Sequence, residues 1–203
     1  MPSRTTKRIL IACENSNSLA GAFRNAGYFT MSADLFPSPG NPLHYCGNVF
    51  DIINEGFDFM FAFPPCTYLC KVQLAQCNLN IDRKLKQLEA IDFVKKLYNS
   101  KIPKIVIENP SGILTTAFRR PDQIVHPYYF GDQYRKQICF WLKNIEPFFT
   151  LSPKCFPRVY PHPTNHTNSR MTQTIRSSIR SSWKYFPEMC SQIVNQIIPQ
   201  LNL

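Results

Sequence analysis

Phe57-Asp58-Phe59-Met60-Phe61-Ala62-Phe63-Pro64-Pro65-Cys66 decides how this chain folds. A run of apolar, strand-like residues stops at two prolines, which cannot continue a sheet ladder, and hands over to a cysteine. In an open α/β sheet, ligands and chemistry collect where strands end, so Cys66 stands where a nucleophile is placed. A second apolar run, Ile105-Val106-Ile107-Glu108-Asn109-Pro110, stops in the same way and delivers Glu108. A thiol and a carboxyl at neighbouring strand ends suit attack on a ring that is protonated as it is attacked.

Working outward, Arg8 to Cys13 reads as a buried first strand and Glu14 to Ser18 as a polar turn. Leu19 to Ala26 follows as a helix with Ser18 as its N-cap and Gly27 as its stop. Tyr28 to Asp34 reads as a second strand ending in a carboxylate. Residues 36–48, rich in Pro, Gly and Asn, read as loop, and Val49 to Asn54 as a short helix. After Cys66, segment 67–81 is irregular. Asp82 to Asn99 carries Leu85, Leu88, Ile91, Val94 and Leu97 at three-residue steps, which predicts an amphipathic helix packed on the sheet. Ile102 to Ile107 is the next strand, and Ser111 to Ala117 begins a loop or short helix. Gln123 to Phe130 and Lys136 to Leu142 read as two strands joined by a hairpin-like turn over Gly131 to Arg135. Residues 145–172 form a long Pro- and Asn-rich loop, and Trp183 to Leu201 holds a closing helix with Met189, Ile193, Ile197 and Ile198 on one face. The fold expected is α/β, a Rossmann-like, mostly parallel sheet with an antiparallel C-terminal hairpin, in a single domain over 1–203.

The 203 residues suffice for one α/β core and are too few for two ordinary domains and a linker. With 44% hydrophobic and 18% charged residues, the composition is globular rather than disordered. Lys and Arg outnumber Asp and Glu by 23 to 13, a basic balance that favours phosphate-bearing partners. No stretch approaches a membrane span, and the start, MPSRTTKRILIAC, reads as a first strand rather than a signal peptide. The eight cysteines are scattered through strand-like and helix-like segments, so a reduced, cytoplasmic protein is expected.

The first strand-turn-helix-strand unit has the layout of a cofactor site. Asp34 follows Glu14 by about 20 residues, the separation of an acid that binds a ribose diol. The turn carries Asn15, Ser16, Asn17 and Ser18 where glycines would let a backbone approach a ligand. Plainer alternatives stand beside each of these. Asp34 reads equally as a solvated strand-end carboxylate, Cys66 as an inert thiol, and Glu108 as the partner of a nearby Arg or Lys that ties two loops together.

Pro-Pro-Cys66 at one strand end, Glu108-Asn109-Pro110 at the next and Gln133-Tyr134-Arg135 after it occur in the order used by cytosine-5 DNA methyltransferases. From about Ile9 to Lys143 the chain resembles that family, and within it the short methyltransferase-like proteins of bacteriophages. The resemblance implies an S-adenosylmethionine-dependent methyltransferase fold, a phage or viral source and action in the host cytoplasm. It implies that Cys66 adds to carbon 6 of cytosine, that Glu108 protonates ring nitrogen 3, and that Arg135, with Gln133, grips the ring oxygen. S-adenosylmethionine would lie along the first strand ends. Cys13, Glu14, Asn15 and Ser16 would stand at its turn, Asp34 and Leu35 at its ribose, Asn48 and Val49 near its adenine, and Pro64 beside the reacting centre. A cytosine in duplex DNA would be flipped out of the stack.

The chain departs from the family pattern at the Asn-Ser-Asn-Ser turn, at Gly47-Asn48 and at Gln137. Between about Lys143 and Met171, where the family carries its recognition region, the chain has only roughly thirty residues, well short of a separate domain. A partner protein supplying target recognition, or an RNA or mononucleotide substrate, is therefore expected beside the favoured DNA. An inactive relative that serves as a nucleic-acid or nucleotide-binding module is the other reading. No metal is expected in the reaction. Two zinc readings are weighed, one on Cys66, Cys70 and Cys77, the other on Cys155, His162, His166 and Cys139. Arg170, Arg176, Arg180 and Lys184, at helix-like spacing, read as a phosphate-contacting or a solvated face.

Overall fold

The centre of the sheet follows from the opening motif. In a computed structural model that describes residues 7–132, 136–150 and 186–202, Phe59–Ala62 forms strand β4, every residue of it buried. It pairs in parallel with β1 (Arg8–Ala12) on one side and β5 (Lys104–Asn109) on the other. The seven-stranded sheet has the order β3-β2-β1-β4-β5-β7-β6, with β2 at Phe29–Asp34, β3 at His44–Cys46, β6 at Gln123–Val125 and β7 at Ile138–Lys143. All pairings are parallel except those of β7, which runs antiparallel between β5 and β6. The protein is thus α/β with a mostly parallel mixed sheet.

Continuous apolar strands require cover on both faces, and alternate residues supply it. Ile9, Ile11, Phe59, Phe61, Val106 and Phe140 pack against helix α1 (Ser18–Asn25) and the last helix, α5 (Pro187–Leu201). Leu10, Ala12, Met60, Ala62, Ile105, Ile107 and Trp141 pack beneath helix α3 (Ile81–Tyr98). Strand order reverses between β1 and β4, and the crevice outside their carboxyl ends is where open α/β sheets receive ligands. Among the described residues no helix is long and apolar enough to cross a membrane.

Several expectations need correction. The loop at 36–48 contains β3, a three-residue edge strand paired with β2 from Ser32↔His44 to Asp34↔Cys46; its pairing rests on backbone bonds that no side-chain pattern announces. Val49–Asp51 is a 3-10 turn rather than a longer helix. Segment 67–81 holds a 3-10 turn (Lys71–Gln73) and helix α2 (Leu74–Leu79), and Leu114–Ala117 forms a short helix, α4. Strand β6 ends at Val125 because Pro127 lacks the N–H to extend it, and the chain turns through Pro127–Phe130 instead. Helix α1 begins at Ser18 with Asn17 at the N-cap position. Its capping acceptor is the Glu14 carboxylate, which takes the N–H groups of Leu19 and Ala20 at 2.8 and 3.0 Å.

The α3 correction is one of phase. An α-helix turns roughly 100° per residue, so each three-residue step falls about 60° short of a full turn. A stripe drawn at such steps from Leu85 to Leu97 therefore winds off the face it starts on. The buried residues are Gln87, Ile91, Val94 and Leu97, while Leu85 and Leu88 stay 53% and 52% exposed. Gln87 is satisfied at the buried end by donating to the Tyr68 carbonyl at 3.0 Å and accepting from Lys84 at 3.0 Å. This phase makes a contrast measurable by urea denaturation. Leu97→Ala is expected to cost about 3 kcal/mol, and Leu88→Ala less than about 1 kcal/mol.

Candidate active site

The thiol is presented by a turn that the prolines begin. After β4, Phe63 N–H still reaches back to the Ala12 carbonyl at 2.9 Å, and then Pro64 and Pro65 end the ladder. The Cys66 carbonyl accepts the N–H groups of both Leu69 and Cys70 at 3.0 Å, closing a tight turn over residues 66–70. Asn109, at the end of β5, donates its Nδ2 to the Pro64 carbonyl at 2.7 Å. The loop after β5 then clamps the far side of the turn. Ile113 N–H donates to the Leu69 carbonyl at 2.9 Å and Lys71 N–H to the Ser111 carbonyl at 3.0 Å, with Gly112 bridged to Cys70. The approach at Gly112 leaves no room for a side chain, since a Cβ there would lie 1.9 Å from the Leu69 carbonyl oxygen.

Glu108 is 6% exposed, and its Oε1 has no hydrogen-bond partner among the described residues. Asn109 Oδ1 is likewise unpartnered. Burial raises the Glu108 carboxyl above its ordinary 4.5, with the nearby Lys136 ammonium opposing. That shift favours the protonated form, the form a proton donor requires. Cys66 is exposed at the surface, and its sulfur faces Cys70, Glu108 and Lys136. The hydrogen bond to Cys70 pushes the Cys66 thiol up, burial and the Glu108 charge add to that, and Lys136 opposes. Cys70 moves the other way, down to about 6, held chiefly by the hydrogen bond from Cys66. Partial burial opposes this, and the backbone N–H groups of Gln73, Val72 and Cys70 itself assist.

At the neighbouring crevice the residues expected around a cofactor divide into two sets. Glu14 is buried and spent on the α1 N-terminus, with Ser16 Oγ donating to it at 3.0 Å; burial raises its carboxyl, against those hydrogen bonds. Cys13 and Asn17 both take left-handed backbone with φ of 60°, the conformation that glycines ordinarily supply to such a turn. Asn15 is half-buried beside them. Cys13 faces Asp34, and burial together with that charge pushes its thiol up to about 12. Asp34 Oδ1 accepts the Phe36 N–H at 2.9 Å, and Leu35 is 73% exposed next to it. Asn48 uses its Oδ1 to accept the Phe50 N–H at 3.1 Å as the cap of a 3-10 turn, and Val49 is buried.

The structure therefore brings Cys66, Glu108 and Pro64 together, and Cys13 with Asp34. Gln133, Arg135, Cys155, His162, His166, Arg170, Arg176, Arg180 and Lys184 lie outside the described residues. Sequence reasoning missed Lys136, whose one signal was its place directly after Gln-Tyr-Arg; it lies 5.8 Å over the Phe186 ring and faces both Cys66 and Glu108. Among the described residues no cluster of three or more His, Cys, Asp or Glu could hold a metal ion, which leaves the zinc reading on Cys66, Cys70 and Cys77 without support. No protein-family model matches this chain, and no curated protein matches it.

Two outcomes follow. Gly112→Ala is expected to destabilise the fold by about 3 kcal/mol through backbone overlap and to change the reactivity of Cys66 towards thiol reagents. For Glu108, the folded state holds the proton more tightly than the unfolded chain does. Stability associated with this group is therefore full below about 4.5 and falls as pH rises towards the folded-state value. Glu108→Gln is expected to melt with wild type at pH 4 and to exceed it at pH 8, by roughly 1–3 kcal/mol. Melting curves across that range check it.

Proposed function

We propose that this protein is an S-adenosylmethionine-dependent methyltransferase acting on carbon 5 of a cytosine ring, most favourably in DNA, through a covalent adduct with Cys66. The observation that carries the reading is the buried Glu108 carboxyl, whose Oε1 has no hydrogen-bond partner among the described residues, beside the Cys66 thiol at adjacent parallel strand ends. A buried carboxyl without a partner is costly, and a ligand that accepts its proton relieves that cost. The sheet, parallel but for one antiparallel strand, is compatible with the fold that the methyltransferase resemblance implies.

In this reading Cys66 adds as thiolate to carbon 6 while Glu108 gives its proton to ring nitrogen 3, so that no negative charge accumulates on the ring. Arg135, with Gln133, holds the ring oxygen. After carbon 5 is alkylated it loses its proton to a base, the carbon–sulfur bond breaks to release Cys66 as thiolate, and ring nitrogen 3 returns its proton to Glu108. The residues fit the methyl donor at one end. Asp34 has one carboxylate oxygen engaged by Phe36 and a second able to accept from a ribose diol, with exposed Leu35 beside it for the base. S-adenosylmethionine, when bound there, supplies an electrophilic methyl group.

A second reading, an inactive nucleic-acid or nucleotide-binding module, is favoured by one observation. Glu14 takes the free N–H groups at the start of α1 that would otherwise face a ligand. Calorimetry with S-adenosylmethionine separates the two readings, because a module need not bind it. The direct test offers labelled S-adenosylmethionine with duplex DNA, RNA or dCMP. Label is expected on carbon 5 of cytosine in DNA, and Cys66→Ala is expected to lower transfer by at least about 10³-fold with an unchanged melting curve. Unreduced transfer by that variant would end the covalent mechanism, and label on RNA or dCMP alone would reassign the substrate.

A further inference from the structure

Resting on that reading, we infer that His44 is a positioning residue for the methyl donor. A relay of hydrogen bonds runs from Asn41 through Ser32, His44 and Phe36 to Asp34, and it orients the carboxylate that receives the ribose diol.

The relay is fixed bond by bond. Strand β3 pairs with β2 so that His44 lies opposite Ser32 and Cys46 opposite Asp34. Asn41 Oδ1 accepts the Leu43 N–H at 3.2 Å, which leaves its Nδ2 to donate to Ser32 Oγ at 2.8 Å. Ser32 Oγ lies 2.7 Å from His44 Nδ1, and His44 Nε2 lies 2.9 Å from the Phe36 carbonyl. Phe36 N–H then donates to Asp34 Oδ1 at 2.9 Å. A carbonyl can only accept, so His44 Nε2 carries a proton. Ser32 is fully buried and already receives Asn41, so its own proton goes to Nδ1. One tautomer of the imidazole satisfies the whole chain. Cys46 adds a weaker tie, its Sγ donating at 3.6 Å to the Leu35 carbonyl, which belongs to the same peptide unit as the Phe36 N–H.

The segment that the relay holds has few other means of staying in place. Pro37, Pro39 and Pro42 interrupt it and have no N–H to give. Leu35 and Phe36 are 73% and 56% exposed, so burial contributes little to their position. The polar chain anchored on buried Ser32 does that work instead. With Oδ1 engaged, the Asp34 carboxylate is oriented before a ligand arrives, and its second oxygen is left to accept from the diol. The short edge strand β3 thereby acquires a task, which is to carry an imidazole to the rim of the crevice.

The test uses two variants that divide the imidazole between them. His44→Asn reaches as far as Nδ1 and keeps a partner for Ser32, but it falls short of Phe36. His44→Gln reaches as far as Nε2 and keeps a donor for the Phe36 carbonyl. Titration calorimetry with S-adenosylmethionine, amide hydrogen exchange at Phe36 by NMR and melting curves are compared among these and the wild-type protein. His44→Asn is expected to weaken binding about 10-fold and to speed Phe36 exchange by a similar factor. His44→Gln is expected to stay within about 3-fold of wild type in both. Affinity that merely follows the melting temperature in the two variants would mark a structural role and overturn the inference. Unchanged Phe36 exchange in His44→Asn would overturn it as well, and so would an Nδ1–H tautomer of His44 in the nitrogen NMR spectrum of the wild-type protein. The expected exchange pattern in a protein that binds no S-adenosylmethionine would uphold the relay and remove the methyl-donor reading of the crevice instead.

Discussion

The hydrogen bond from Asn109 Nδ2 to the Pro64 carbonyl holds the site together. Strands β4 and β5 are parallel neighbours, and each stops at proline, so neither can continue the ladder that aligns them. Beyond that point the two ends would separate, carrying Cys66 on one and Glu108 on the other. A side-chain amide placed one residue after Glu108 replaces the missing ladder bond. It spans the two strands at the depth where the thiol turn begins. The same two prolines that expose Cys66 thus create the acceptor that positions it, and the loop clamped at Gly112 fixes the other side of the turn.

A framework this constrained can carry groups that a looser one would expel. The Glu108 carboxyl is buried with an oxygen unpartnered among the described residues, and Asn109 leaves its own oxygen unpartnered beside it. Each costs on the order of 1–3 kcal/mol where no water or ligand reaches it. The turn after β1 shows the same pattern, with Cys13 in left-handed backbone, which for a residue other than glycine costs about 1–2 kcal/mol. The left-handed backbone of Cys13 and the unpartnered oxygens of Glu108 and Asn109 stand at the carboxyl ends of β1 and β5. The rest of the sheet is saturated with apolar contacts on both faces. That distribution is expected of a fold whose stability is supplied in one place and expended in another.

How much of this was legible in the sequence depended on which force fixed each part. Strands β1, β4, β5 and β7 are near-continuous apolar runs, and burial on both faces makes such runs unambiguous. The ends of β4 and β5 were marked by proline, so Cys66 and Glu108 could be set side by side before any coordinates. Strand β3 was not legible because its three half-buried or exposed residues carry no apolar alternation, and its side-chain bonds, such as that between Ser32 Oγ and the His44 ring, exist only once the pairing is made. The face of α3 was misread at Leu85 and Leu88 because three-residue spacing resembles helical periodicity over one turn and diverges from it over three. Glu14 was read as a ligand contact, whereas its buried carboxylate closes the helix that follows, a choice made by the tertiary position of α1. Lys136 faces the site only because β7 runs antiparallel beside β5, and nothing local to Lys136 encodes that.

Placing Lys136 there changes the electrostatic reasoning for the whole cleft. Two thiols and a carboxyl, each fully ionised, would set several negative charges against one ammonium in a site with restricted water, and such an arrangement is strongly unfavourable. Burial raises the Glu108 carboxyl, and Cys66 is raised by its interaction with Cys70 and by burial, so that both groups favour their protonated forms while the Lys136 ammonium opposes both shifts. Lys136 thus sets the balance between neutral and ionised forms at the ends of β4 and β5, and groups held in place by a fixed backbone respond to that balance without first having to reorganise.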